Sequence, residues 1–286
     1  MPLIDLTQLN AAGKQHTPRV TTTAAPSYDR PSDEAARIRE VYGRRHAGNR
    51  YDWDQPGQLF MMQELERRLL SALRQHHCLP LRDRRILEVG CGSGHFLREL
   101  IKWGADPAKL VGIDLLEDRL IEGRRRMPAG PRLEARDAAD TGFPHASFDL
   151  VLQMTMFTSI LSPTLRQRVA REMLRVLAPG GWIVWYDLRV NNPRNPDVRA
   201  VPKAEIRALF PGRVVHLQAV TLAPPLARSL APRAWWLCAL LARLPFLRSH
   251  YLGLIGPHAV EPSGTGPYEA VLHRAPPRLR QEHSHA

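Results

Sequence analysis

The chain has 286 residues, 44% of them hydrophobic and 24% charged, which is long enough for one α/β domain with extensions and typical of soluble globular proteins. Its three scattered cysteines argue against a disulfide framework or a paired metal motif, and its first residues lack the pattern of a secretory signal, so we expect a cytoplasmic protein. Arginine supplies most of the formal charge of +12, and +8 of it lies in residues 189–260, where an anionic partner would bind.

The first third of the chain predicts a flexible arm followed by a helical cap. Residues 1–32 are predicted to form the arm and residues 33–79 the cap. Within the cap, apolar residues recur at three- and four-residue steps, which predicts helices over 33–46 and 58–77. The polar and aromatic segment GNRYDWDQ lies between them.

From residue 80 onwards, continuously apolar strands alternate with amphipathic helices, which predicts a parallel sheet covered on both faces. We expect a doubly wound, mostly parallel, seven-stranded α/β domain over residues 80–274. Its last strand is predicted at YEAVLHR, after an apolar and basic helical insertion at 222–266. Residues 275–286 are predicted to be a disordered tail.

The run ILEVGCGSGHF, residues 86–96, places three glycines directly after a strand. In open parallel sheets this turn anchors the ligand, because a bare main chain lets the ligand approach the N–H groups. A dinucleotide fingerprint would require glycine at position 95, but His95 is there. Glu88 would also repel a pyrophosphate, whereas it suits a ligand with an ammonium group.

The run ILEVGCGSG resembles the first motif of class I S-adenosylmethionine-dependent methyltransferases, and later segments follow in that family's order. Asp114 ends the second strand, where the family places an acid that binds the ribose hydroxyls. RDAADTGFPHASFDLVLQ and EMLRVLAPGGWIVWYDL resemble the next blocks. The resemblance covers about residues 80–220 and implies the Rossmann-like methyltransferase fold with an N-terminal helical lid. The residues it implies for binding S-adenosylmethionine are Glu88, Gly90, Cys91, Gly92, Ser93, Gly94, Asp114, Leu115, Asp137, Ala138, Gln153 and Met154.

The acceptor is expected above the carboxyl ends of the fourth and fifth strands. Asp187 is the candidate catalytic group there, and pairing with Arg189 or capping a turn is an equal alternative for it. The candidate acceptor-binding residues are Tyr51, Met156, Tyr186 and Asn191. Tyr51 and Trp53 would close over the cofactor as part of the lid, or simply pack. We expect no metal site, because the histidines have no ligand spacing.

Residues 222–257 are rich in leucine, tryptophan and arginine. The uncharged run AWWLCALLA between Arg233 and Arg243 has nine residues, which are too few to cross a bilayer. Residues 222–257 form either a cap over the acceptor or an interfacial helix that contacts anionic lipid or a lipid-linked substrate. The second interpretation would place the protein at the inner face of the membrane.

These patterns predict a methyltransferase that acts on a small or medium acceptor, such as a sugar, a glycolipid intermediate or a secondary metabolite, with oxygen favoured as the attacked atom. One alternative is an RNA methyltransferase, although no RNA-binding motif is visible and nucleic acid is not the expected partner. A second is a non-catalytic S-adenosylmethionine-binding protein that docks on a membrane or partner. A third is a nicotinamide-dependent oxidoreductase.

Overall fold

The computed structural model describes residues 31–44, 53–193 and 195–258. Within these ranges the helices are α1 (Pro31–Arg44), α2 (Pro56–Gln75), α3 (His95–Lys102), α4 (Glu117–Arg126), α5 (Pro163–Val176), α6 (Lys203–Leu209), α7 (Pro224–Leu230) and α8 (Trp235–Leu241). The strands are β1 (Ile86–Val89), β2 (Leu110–Asp114), β3 (Arg132–Ala135), β4 (Phe148–Met154), β5 (Leu177–Leu188), β6 (Arg213–Leu222) and β7 (Arg248–His258).

The seven strands form one sheet in the order β3-β2-β1-β4-β5-β7-β6. Strands β1 to β5 pair in parallel, and β7 pairs antiparallel with both β5 and β6. The winding reverses between β1 and β4, so the carboxyl ends of these two strands meet at the switch point where α/β sheets bind ligands. The predicted doubly wound, mostly parallel sheet is confirmed.

Successive side chains of the central strands pack on opposite faces of this sheet. On β5, Val184 and Tyr186 join the core under α2, α3 and α4. Ile183 and Trp185 join the core on the other face, under α5 and α6. Ile38 of α1 packs against this second core, so α1 lies on the α5 side of the sheet.

Capping residues and terminal charges agree with the observed helix boundaries. The Ser162 side chain accepts a hydrogen bond from Leu165 N–H and Pro163 occupies the first turn, which is where α5 begins. Helix α4 has two acidic residues in its first turn and three arginines in its last, an arrangement that favours the helix dipole. The observed bounds of α1 and α2 lie within two residues of the predicted ones.

Residues 248–258 correct the predicted course of the chain. They were expected within the insertion, but they form β7, which is inserted between β5 and β6. The predicted strand at 268–274 lies outside the described residues, as do the predicted tail and most of the predicted arm. The helical part of the insertion is therefore shorter than expected and comprises α7 and α8.

Helix α7 packs on α2 and on the end of β6, and α8 packs on α7. Phe60 and Met61 of α2 form a small separate core with Ala227 of α7 and Cys238 of α8. None of the helices in the described ranges has both the length and the apolar character needed to cross a membrane.

Candidate active site

A cavity of about 790 Å³ opens at the carboxyl ends of β1, β2 and β4, at the topological switch point. This volume is in the range of small-molecule and cofactor sites. The sequence-predicted residues that line it are Gly90, Gly92, Asp114, Leu115, Asp137, Ala138, Met154 and Met156. The structure thus brings together eight predicted positions from four separate stretches of the chain, and their binding roles stay predictions.

The glycine loop turns tightly between β1 and α3. Gly90, Gly92 and Gly94 all have positive φ, at 71°, 54° and 71°, a conformation that glycine adopts without a steric penalty. Gly90 and Cys91 N–H both donate to the Ile113 carbonyl of β2, which fastens the loop to the neighbouring strand. A Cβ on Gly90 would come within 2.8 Å of Met156 Cγ, whereas a Cβ on Gly92 would meet nothing within 4 Å.

Asp114 joins this loop to the turn after β2. Its Oδ2 accepts from Gly92 N–H at 2.7 Å and its Oδ1 accepts from Leu116 N–H at 2.9 Å. Each carboxylate oxygen has capacity for a further hydrogen bond. The carboxylate therefore holds the loop in place and remains able to accept two hydroxyl groups from a ligand in the cavity.

Asp137 and Ala138 border the cavity from the turn after β3. Asp137 Oδ1 accepts from Ala139 N–H at 2.8 Å, so the side chain shapes its own turn. Arg136, just before it, donates to Glu134 and to the Thr141 carbonyl and lies over the Phe143 ring. This packing fixes the direction of the turn that faces the cavity.

The end of β4 contributes a strained residue. Thr155 has φ of 63°, which is unusual for a β-branched side chain, and its N–H donates to the Tyr186 carbonyl at 2.7 Å. Thr155 lines the cavity between Met154 and Met156. Strain of this kind persists where surrounding contacts impose it, and it is concentrated at functional sites.

Glu88 lies in β1 directly behind the glycine loop and is buried. Burial, followed by the nearby Asp114 charge, raises the pKa of Glu88 to about 8. Its Oε2 has no hydrogen-bond partner within the described residues. Glu88 does not reach the cavity surface, so any effect on an ammonium group in the cavity would act through the loop or a water molecule.

Helix α1 forms a roof over the cavity that the sequence predicted only as a generic lid. Tyr42 faces the cavity, and its hydroxyl is 2.8 Å from Ser159 Oγ. The buried Glu34 and Arg37 form a two-pronged ion pair, with Arg37 Nε donating to Glu34 Oε2 at 2.8 Å. Arg37 also donates to the Ser159 carbonyl, and Glu34 accepts from Leu161 N–H. The ion pair therefore anchors α1 to the segment after β4.

Several further cavity-lining residues were not predicted from the sequence. They are Ala35, Ile38, Tyr42, Arg44, Ile113, Leu116, Arg119, Arg136, Ser159, Ile160, Leu165, Val169 and Asn195. For α1, the available signal was the pair of charges at Glu34 and Arg37 on an otherwise apolar face. For α5, the apolar positions look the same in sequence whether they face the core or a ligand.

The structure does not bring Asp187 to the cavity surface, so this geometry gives its predicted catalytic role no support. Its side chain is 0% exposed, and its carboxylate accepts from Thr158 N–H at 3.1 Å and from Leu188 N–H at 2.8 Å. Burial raises the pKa of Asp187 to about 6. The carboxylate connects β5 to the turn after β4, which agrees with the alternative that Asp187 caps a turn.

Tyr186 and Gln153 do not line the cavity either, and their binding roles stay predictions. Tyr186 points into the core under α2, where its hydroxyl is 3.0 Å from Thr221 Oγ1 and its ring stacks on His250. Gln153 is buried and accepts from Met156 N–H at 3.2 Å. Gln153 thereby sets the path of the chain that lines the cavity without lining it itself.

The remaining predicted residues lie beside the cavity or outside the described part. Asn191 is exposed, and its side chain accepts from Ala200 N–H, so it shapes the loop after β5. Cys91, Ser93 and Gly94 belong to the glycine loop but do not line the cavity, and burial raises the pKa of the Cys91 thiol. Tyr51 lies outside the described residues. Trp53 is exposed and packs near His95.

The hydrogen-bonding groups of the site suit S-adenosylmethionine, the predicted cofactor. The loop main chain is bare at Gly92, Asp114 offers two acceptors at the end of β2, and Glu88 leaves a buried carboxylate oxygen behind the loop. Among the described residues, no group of three or more His, Cys, Asp or Glu side chains is arranged to hold a metal ion.

Replacing Gly92 with alanine tests whether the loop main chain holds the ligand. We expect a loss of stability of about 1–2 kcal/mol from the left-handed backbone, together with loss of S-adenosylmethionine binding because the new methyl group would project into the cavity. Gly104→Ala is the matched control, since Gly104 also has positive φ and open space at its Cβ but lies outside the cavity. Calorimetric binding and thermal melts would separate the two effects. Equal affinities in both variants would contradict the assignment.

The raised pKa of Glu88 predicts an unusual pH dependence of the free energy of unfolding. Its folded pKa of about 8 lies above the ordinary value of 4.5, so the folded state binds more protons between these values. Stability should therefore fall as pH rises towards 8, with a slope of up to about 1.4 kcal/mol per pH unit. Glu88→Gln should remove this slope, as measured by urea unfolding across pH. Asp187→Asn, whose folded pKa is about 6, should change only the lower part of the profile.

A family model described as "Methyltransferase domain" matches residues 86–181. A demethylmenaquinone methyltransferase of Symbiobacterium thermophilum is 32% identical over 164 residues, which are 55% of this chain and 62% of that protein. A fatty-acid O-methyltransferase of Mycolicibacterium smegmatis is 38% identical over 107 residues, which are 37% of this chain and 38% of that protein. The chain thus matches less than two thirds of the length of these relatives.

Among solved structures, the chain resembles a 1,6-didemethyltoxoflavin-N1-methyltransferase of Burkholderia thailandensis with bound 1,6-didemethyltoxoflavin and S-adenosylhomocysteine. The TM-score is 0.55 and the identity is 16%, over 82% of this chain and 93% of that chain. At this identity the likeness supports the fold alone.

Proposed function

We propose that this chain, which contains a class I S-adenosylmethionine-dependent methyltransferase domain, transfers a methyl group to a small or medium-sized apolar acceptor, with oxygen favoured as the attacked atom. The observation that carries the proposal is the cavity at the switch point, where the glycine loop and Asp114 lie opposite a roof made by α1. The activity of the whole protein is inferred from this site.

The donor would bind along the part of the cavity that the sequence motifs form. Asp114 would accept hydrogen bonds from the two ribose hydroxyls, and Asp137 with Ala138 would border the adenine. The bare main chain at Gly90 and Gly92 would accommodate the amino acid part. The positive sulfonium centre would then lie near the end of β4.

The bound donor supplies a methyl group on a sulfonium and leaves as a neutral thioether, so its departure needs no proton. The protein's contribution is consequently orientation and exclusion of water, and orientation alone can supply roughly 7–11 kcal/mol in favourable cases. Met154, Thr155 and Met156 would fix the line along which the acceptor approaches, because the strained main chain at Thr155 leaves this segment little freedom.

On the acceptor side we place apolar side chains and one pair of hydroxyl groups, and Arg44, Arg119 and Asn195 also line the cavity. Ile38, Ile160, Leu165 and Val169 supply the apolar surface, while Tyr42 and Ser159 form the hydroxyl pair. We propose Tyr42, rather than Asp187, as the polar group on the acceptor side. An apolar acceptor with one hydroxyl or carboxyl group fits this lining. The fatty-acid O-methyltransferase and the demethylmenaquinone methyltransferase among the relatives agree with such a class.

The test is methyl transfer from labelled S-adenosylmethionine to three acceptor classes: long-chain fatty acids, hydroxylated quinones and structured RNA. We expect label in one of the apolar acceptors and none in RNA. Tyr42→Phe should lower kcat while leaving the Kd for the donor unchanged, and Gly92→Ala serves as the donor-binding control. Label in RNA would support the alternative of an RNA methyltransferase. Donor binding without transfer to any acceptor or extract fraction would support a non-catalytic binding protein.

A further inference from the structure

Five of the eight large apolar side chains that the described residues expose lie within one 12-residue segment. They are Trp235, Trp236, Leu240, Leu244 and Phe246. We call this set, together with Arg233 and Arg243, the α8 patch. Single exposed apolar residues are common on soluble proteins, but a contiguous group marks a site of interaction.

The α8 helix has its bulky residues on the outside. Its one buried residue is Cys238, which lies in the small core with Phe60 of α2 and Ala227 of α7, whereas Trp236 is 70% exposed and Phe246, just beyond the helix, is 74% exposed. The ring of Trp235 contacts Phe60 of α2 at 5.1 Å in an edge-to-face arrangement. The contact fixes the orientation of α8, so the outward residues form a preformed surface.

The charge around the patch has one sign. From residue 206 to residue 260 the chain has six arginines and no acidic residue. Arg233 and Arg243 are exposed at the two ends of α8, and within the described residues neither guanidinium has an ion-pair partner. Arg248, in contrast, is used internally, since it donates to the Ala242 and Ala219 carbonyls.

The patch lies at the same end of the sheet as the cavity. β7 begins directly after the patch, where His250 pairs with Leu188 at the carboxyl end of β5. Arg189 donates to the Pro245 and Arg248 carbonyls, which holds the segment after α8 against that end of β5. The neighbouring strand is β4, whose carboxyl end lines the cavity.

We propose that the α8 patch docks this protein on an anionic lipid bilayer, with the apolar side chains in the interface and Arg233 and Arg243 on the lipid phosphates. A helix of seven residues is too short to cross a bilayer but long enough to lie in its surface. Tryptophan and phenylalanine with flanking arginines have the composition of such interfacial segments. Docking would face the cavity's end of the sheet towards the membrane, where an apolar acceptor is dissolved. This last step rests on the proposed function.

The test is flotation of the full chain with vesicles of phosphatidylcholine alone and of phosphatidylcholine mixed with phosphatidylglycerol. We expect binding to the mixed vesicles only, weakened by salt. Arg233→Gln with Arg243→Gln should weaken it by about fivefold for each arginine, whereas Arg125→Gln on α4 should not. Trp236→Ser with Phe246→Ser should abolish it, and Ile121→Ser, at a position that is 41% exposed on α4, is the matched control.

Equal binding to both vesicle types, or equal loss in the controls, would overturn the proposal. Sedimentation velocity tests whether the patch is instead a contact between copies of the chain. That would be the conclusion if the protein formed an oligomer and the Trp236→Ser with Phe246→Ser variant became a monomer with unchanged vesicle binding. Near-ultraviolet circular dichroism would establish that the variants fold. Donor binding is measured without vesicles, so that the docking proposal and the proposed function can fail separately. S-adenosylmethionine binding without vesicle binding would overturn docking alone, and vesicle binding without S-adenosylmethionine binding would contradict the proposed function alone.

Discussion

Replacing Asp114 with alanine is expected to raise the Kd for S-adenosylmethionine by about ten- to a hundredfold, which corresponds to about 1.5–3 kcal/mol for hydrogen bonds to a charged group. The side chain lies at the end of β2 and lines the cavity. If both ribose hydroxyls donate to its two oxygens, the variant loses both bonds at once. Isothermal titration calorimetry with the donor measures this directly.

The same substitution removes two internal hydrogen bonds. Asp114 accepts from Gly92 N–H and from Leu116 N–H, so the alanine variant also releases the glycine loop from the turn after β2. Asp114→Asn should reduce both contributions by about half, because its amide oxygen still accepts hydrogen bonds from the main chain and from a hydroxyl group while its NH₂ group accepts none. We expect the asparagine variant to bind the donor with intermediate affinity.

Asp118→Ala provides the control for Asp114→Ala. Asp118 lies in the first turn of α4, is exposed and does not line the cavity. Its loss removes a similar negative charge from the neighbourhood without removing a ligand contact. An unchanged Kd for the Asp114→Ala variant would show that the ribose is bound elsewhere.

The positions around the donor were predictable because they depend on the main chain of one tight turn. Gly90 and Gly92 need positive φ, and Asp114 ends a strand next to them in any parallel sheet of this order. These are local constraints that a sequence motif records. The prediction could not say that Glu88 stops short of the cavity, because burial depth depends on how the loop packs.

The acceptor side was less predictable because a shift of one position along a strand moves a side chain to the opposite face of the sheet. Tyr186 and Asp187 end the same strand, and the pleat sends Tyr186 under α2 and Asp187 towards Thr158. The sequence placed both correctly at the strand's end, yet neither side chain reaches the cavity. Tyr42, which does reach it, belongs to a helix 117 positions from its partner Ser159.

Strand β7 was missed for a physical reason as well. Its sequence contains Gly253, Gly256 and Pro257, residues that usually mark loops. In the sheet, a Cβ at Gly253 would collide with the His216 carbonyl and one at Gly256 with the Trp182 ring. The glycines are there because neighbouring groups approach closely, and only the assembled sheet reveals that.

Replacing Arg37 with alanine is expected to detach α1 from the cavity. The substitution would leave the Glu34 carboxylate buried without its charge partner, and removal of one member of a buried ion pair typically costs about 3–5 kcal/mol. Because α1 is a peripheral helix, local release would relieve this cost before global unfolding. We expect α1 to become sensitive to limited proteolysis and the KM values for donor and acceptor to rise together.

Glu40→Ala on the same helix is the matched control. Glu40 pairs with Arg44 at 3.7 Å, but both side chains are about two thirds exposed, and surface pairs of this kind contribute little. The double variant Glu34→Leu with Arg37→Met should be less damaging than Arg37→Ala, since it leaves no unpaired buried charge. If Arg37→Ala and Glu40→Ala behaved alike, α1 would be held by its apolar contacts, such as Ile38, and the ion pair would serve only to set its register. The distinction matters because the roof carries Tyr42, so the pair that anchors α1 also determines whether the acceptor meets an ordered hydroxyl group.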